Sequence, residues 1–101
     1  MIEWETAHQI ASAHAATIPV ARDGDRGAID DRYTIPYDFG WLFVYQSSWF
    51  LQTDDRRWIL LDNHPFLVDR RDGRIISVPL PYNDELLNRF QQQWSQGLPL
   101  G

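Results

Sequence analysis

Residues 40–53 read GWLFVYQSSWFLQT and residues 63–75 read NHPFLVDRRDGRI, and these two stretches decide the fold. Each is a pair of aromatic and β-branched runs around a turn signal, which is the pattern of a β-hairpin. In the first, Trp41 to Gln46 and Trp49 to Thr53 are the expected strands, with Ser47-Ser48 making the reversal. A two-residue loop would pair Val44 with Leu51 and Tyr45 with Phe50. One face would then carry Leu42, Val44, Trp49 and Leu51, and the other Trp41, Phe43, Tyr45 and Phe50.

In the second hairpin Asp72-Gly73 is a preferred type I′ pair, joining Phe66 to Arg71 with Arg74 to Val78. Leu67, Ile76 and Val78 fall on one side, and Phe66, Val68 and Ile75 on the other. Neither hairpin has a polar face. A sheet with one wet face alternates apolar with polar, so this one is expected to be covered on both sides.

The flanks supply the cover. Trp4, Ala7, Ala11, Ala15 and Ile18 recur at helical spacing and predict a helix that ends before Pro19. Near the C-terminus Asn83 is a good N-cap and Asp84 and Glu85 suit the positive end of a helix dipole. Leu86, Leu87, Phe90 and Trp94 form the apolar stripe. Tyr82 is placed to staple onto Leu87, and Gly97 to stop the helix. Ala21 to Asp31 reads as a charged, Gly-containing loop, and Arg32 to Tyr37 as a first strand. The fold class expected is α+β: a small antiparallel β-sheet of about five strands flanked by an N-terminal and a C-terminal α-helix.

With 101 residues, 44% of them hydrophobic, the chain suits one domain over 1–101 with an adequate core. No apolar run has membrane length and no basic-then-apolar signal opens the sequence, so a soluble, cytoplasmic protein is expected. Zero cysteines exclude a disulfide framework, thiol catalysis and thiolate metal sites. The net charge is −5, and every basic residue is arginine. That balance disfavours nucleic acid as a ligand and leans toward a basic partner.

The residues that carry chemistry elsewhere are poorly placed for it here. His8 and His14 lie about 120° apart around a helix axis, too far to share one ion, and His64 precedes Pro65 in a loop. Asp23, Asp25, Asp30 and Asp31 crowd one segment, but without the glycine and terminal glutamate of an EF-hand they read as a solvated loop. Ser47 and Ser48 lack the strand-to-helix elbow of a catalytic serine, and the scattered glycines form no phosphate cradle. No catalytic residue, cofactor or metal is therefore expected. Asp54, Asp55, Arg56 and Arg57 either neutralise one another in water or form a contact patch. Most aromatic residues belong to the core, but Trp49 and Trp58 adjoin polar turns and are the best candidates for exposure.

On the phrase GWLFVYQSSWFLQT, then Asn63, Pro65, FLVDRRDGRI over 66–75 and a C-terminal helix, the chain resembles the immunity protein 35 family, also called the YrhB-like domain. The resemblance implies a small bacterial α+β protein of a polymorphic toxin system, one that binds and neutralises a cognate toxin without catalysis. One member type is chaperone-like, which makes a scaffolding or client-holding module the alternative; an enzyme comes last. Departures fall at Trp49 and Gln52, at the missing glycine beside Asn63, and at the ending Val78-Pro79-Leu80-Pro81. The expected partner is a protein toxin, with no nucleic acid and no membrane, and the free chain is expected to be monomeric. Trp49, Asp54, Asp55 and Trp58 are the expected partner-binding residues, because function concentrates in turns on a rigid sheet and Trp beside mixed charge is typical of interface anchors.

Overall fold

Residues 40–43 are buried at every position, because a helix covers each side of the sheet they belong to. The computed structural model describes residues 1–61, 63–79 and 84–101. Along them run α1 (Trp4–Thr17), β1 (Gly27–Ile29), a 3-10 turn (Asp31–Tyr33), β2 (Ile35–Tyr37), β3 (Gly40–Phe43) and β4 (Tyr45–Ser47). There follow α2 (Ser48–Thr53), a second 3-10 turn (Arg56–Trp58), β5 (Phe66–Asp69), β6 (Ile75–Ser77) and α3 (Asp84–Ser95). The fold is α+β with a helix at each end, as the sequence predicts. The expected cap Asn83 and staple Tyr82 lie outside the described residues.

Strands β2-β3-β5-β6 form one antiparallel sheet and β1-β4 a second, smaller one. On one face of the larger sheet Trp41, Phe43, Phe66 and Val68 meet α1, whose Ala7, Ala11 and Ala15 are completely buried. Alanine lets the helix come close, and at β1 the approach is closer still: a Cβ on Gly27 would run into the Ala15 carbonyl oxygen. On the other face Leu42, Leu67 and Val78 join Phe39, Phe90 and Leu100, with Leu86, Leu87 and Trp94 of α3 packed against them. Helix α3 ends at Gly97 (φ +73°), where Leu98 N–H bonds Gln93 C=O and Gly97 N–H bonds Trp94 C=O. That pair of bonds is a Schellman stop.

The first hairpin departs from expectation. Trp49 to Thr53 is helical, and Ser47-Ser48 opens that helix instead of reversing a strand. Trp49, Phe50 and Leu51 therefore leave the sheet faces assigned to them. The run Trp41 to Gln46 changes partner at Val44: β3 pairs with β2 and β5, and β4 pairs with β1. Strand β1 lies inside the segment read as a loop, and Arg32 to Tyr37 begins as a 3-10 turn before it becomes a strand. The β1–β4 and β3–β5 pairings join residues 16 or more positions apart, which local propensity does not report.

The second hairpin has the expected faces in a different register. Val68 pairs with Ile75 and Leu67 with Ile76, two residues short of the pairing that an Asp72-Gly73 turn would give. Asp69 is the cause. Its buried carboxylate accepts a 2.9 Å bond from Arg71 N–H and two more from the Arg71 guanidinium, which folds residues 69–71 into an Asx turn. The loop closes instead with Asp69 N–H on Arg74 C=O and Gly73 N–H on Asp69 C=O, with Gly73 at φ +78°. A shift of two residues keeps every side chain on its face, so the core assignment is unaffected.

Candidate partner-binding surface

Helix α2 is six residues long, too short to hold itself in water, and it is fixed by one carboxylate from a distant loop. The Asp25 side chain has no solvent exposure. It accepts hydrogen bonds from Ser47 Oγ (2.5 Å), Ser48 Oγ (3.0 Å), Trp49 N–H (3.2 Å), Arg26 N–H (2.8 Å) and Arg22 Nη2 (3.0 Å). Ser47 Oγ in turn accepts from Phe50 N–H and caps the helix. Burial alone would raise the Asp25 pKa. The bonds from Ser47, the Trp49 and Arg26 backbone and Ser48 outweigh it and hold the carboxyl well below the usual range.

The same Arg22 reaches the next turn. It donates a 2.8 Å bond to Trp58 C=O, and its guanidinium carbon lies 5.0 Å from the Trp58 ring centre. Trp58 meets Trp49 edge to face at 5.1 Å and carries Arg57 at 5.1 Å. Both indoles are half-buried. The expected anchors are thus in contact with each other, braced from beneath by the Arg22–Asp25 pair.

The two acids between them have different roles. Asp55 caps the second 3-10 turn through Arg57 N–H and binds the Arg57 guanidinium through both oxygens. The hydrogen bonds from Arg57 hold its carboxyl below the usual range. Asp54 is exposed and sits at the C-cap of α2 in the left-handed region (φ +57°), its N–H on Phe50 C=O at 2.7 Å. Its carboxylate makes no hydrogen bond or ion pair with the described residues. It lines a cleft with Asp31, Arg32, Phe50 and Leu51.

Two further tethers complete the surface. The Gln46 amide donates to Leu60 C=O (3.0 Å) and accepts from Leu60 N–H (2.8 Å), and Asn63 Nδ2 donates to Tyr45 C=O. Side chains thereby bind the segment after the second 3-10 turn to β4. The aspartates read as a solvated loop require correction. Asp25 and Asp30 are buried and bonded, Asp30 to Arg32 through both oxygens, and Asp31 accepts a 2.7 Å bond from His8. His14 packs against Phe66 instead of facing the same way as His8. Among the described residues no three His, Cys, Asp or Glu side chains gather as a metal site would require.

Asp25 and Arg22 are the residues that sequence reasoning missed, and nothing local announces them: Asp25 acts on Ser47, 22 residues away. The Asp55–Arg57 clamp had a signal. The pattern Asp-x-Arg occurs at 30–32, 54–56, 55–57, 69–71 and 72–74; at 30–32, 55–57 and 69–71 the carboxylate takes both the backbone N–H and the guanidinium two residues on, and at 72–74 it takes the backbone N–H.

Among known protein families, the one described as immunity protein 35 matches residues 5–96. No curated protein and no solved structure matches the chain.

Proposed function

The chain belongs to the immunity protein 35 family, and on that premise we propose that it binds and neutralises a cognate polymorphic toxin by stoichiometric, non-catalytic contact, in the cytoplasm where it is made. The observation that carries the reading is the surface built by α2 and the turn after it. There Trp49 and Trp58 are in contact, half-buried and ringed by charge, on a scaffold tied down by Asp25 and Gln46. Half-buried Trp beside charged groups is what interface anchors require: large rigid area at the centre and orienting charge at the rim. A client-holding module would need an open aromatic sheet face. Both faces of the larger sheet are covered, by α1 and by α3, so stoichiometric binding through the turns is the better-supported reading. No helix among the described residues is long and apolar enough to cross a membrane.

A tagged copy purified from its native cell tests the proposal. The expected result is one dominant protein partner, bound in a fixed ratio, whose toxicity disappears when this chain is co-expressed. Retention of many unrelated apolar clients would favour the chaperone-like reading, and a partner whose toxicity is unchanged by the chain would sink the immunity function.

A further inference from the structure

Asp54 is the only residue other than glycine with positive φ among the described residues. Glycine or asparagine suits such a helix C-cap better, and an acid at the negative end of a helix is electrostatically unfavourable. Asp tolerates the left-handed region mainly when its side chain bonds locally. This one does not. Its neighbour Asp55 is fully engaged by Arg57, and Arg32, close enough for its charge to feel Asp54, is already committed to Asp30 through two hydrogen bonds. The fold therefore gives no account of an aspartate at this position.

We infer that Asp54 is the charged specificity residue of the surface, its carboxylate receiving a lysine or arginine side chain of the partner over the apolar floor of Phe50 and Leu51. Resting on the toxin-binding reading above, this adds the partner's chemistry and divides the two acids: Asp54 faces outward, while Asp55 shapes the turn. The cleft suits a cationic side chain. Phe50 and Leu51 cover its alkyl stem and Asp54 stands at the rim for its charged head, while Arg32 in the same cleft is neutralised by Asp30. The chain's net charge of −5 has the complementary sign.

The test uses the full chain and the partner protein recovered with the tagged copy, with Asp54→Gly, Asp54→Asn and Trp49→Ala compared by melting temperature and by affinity at two salt concentrations. Expected are a melting temperature raised by about 2 °C or more in Asp54→Gly, and affinity lowered about tenfold or more in both Asp54 variants, with a flatter salt dependence than the parent. A lowered melting temperature in Asp54→Gly would overturn the inference, because the carboxylate would then serve the fold. Full affinity in Asp54→Asn with lost affinity in Trp49→Ala would overturn it while leaving the surface in place. Full affinity in all three would refute the surface itself.

Discussion

The Asp25 carboxylate and the Ser47 hydroxyl meet at 2.5 Å in the interior of the loop layer, and through that contact a segment of the N-terminal half decides where a helix begins in the middle of the chain. Ser47 is completely buried. Its hydroxyl is used in both senses, donating to Asp25 and accepting from Phe50 N–H.

Replacing Asp25 by Ala leaves two hydroxyls, two backbone N–H groups and the Arg22 guanidinium short of an acceptor. A loss of about 3 kcal/mol or more is expected, since removing one partner of a buried charged network leaves the others uncompensated. Urea unfolding measures it, and a loss under about 1 kcal/mol would show that water replaces the carboxylate readily.

The depressed pKa of Asp25 makes a prediction about acid. The folded value lies below the unfolded one, so the stabilisation is complete above the unfolded value of about 3.9 and is lost as pH falls toward the folded value. Asp25→Asn should therefore be less stable than the parent at pH 6, with the gap constant down to about pH 4 and narrowing from there toward pH 2. Urea midpoints of the two proteins across that range check the sign; a constant gap would remove Asp25 from the acid response.

Phe90 is buried between α3 and the larger sheet, with Phe39 edge-on at 5.9 Å. Phe90→Ala should cost about 3–5 kcal/mol. A cost below about 0.5 kcal/mol, the range of ordinary surface changes, would contradict the packing of α3.

Trp49→Ala removes half of the indole pair and belongs to neither sheet core. Toxin binding should weaken by about 2 kcal/mol or more, and fold stability should fall by less than binding does. Calorimetric titration beside thermal unfolding separates the two, and an unfolded Trp49→Ala protein would make this ring part of the core.

Much of the fold was legible where one segment carries its own instructions. Ala7, Ala11 and Ala15 mark the buried stripe of α1, Gly97 its counterpart's end, and the alternation at 66–68 and 75–78 sorts the second hairpin onto its faces despite the altered register. What stayed hidden was set by remote partners. Trp49 to Leu51 have strand composition, and they are helical because Asp25 supplies donors' acceptors from 22 residues upstream; Gly27 to Ile29 lie in a charged loop by composition and become a strand only because β4 is there to pair. At the candidate surface, Trp49, Asp54, Asp55 and Trp58 are neighbours in space because they are near in sequence. Their brace, Arg22, is not.

Helix α2 contributes no side chain to either sheet core, and the ion pairs around it are closed within a few residues, Asp55 with Arg57 and Arg22 with Asp25. Divergence at Trp49, Gln52, Thr53 or Asp54 thus leaves both sheet cores untouched. With the proposed toxin contact on this outward helix, a lineage confronting an altered toxin could rewrite it by single substitutions, each selectable at once, without first acquiring compensating changes in the interior.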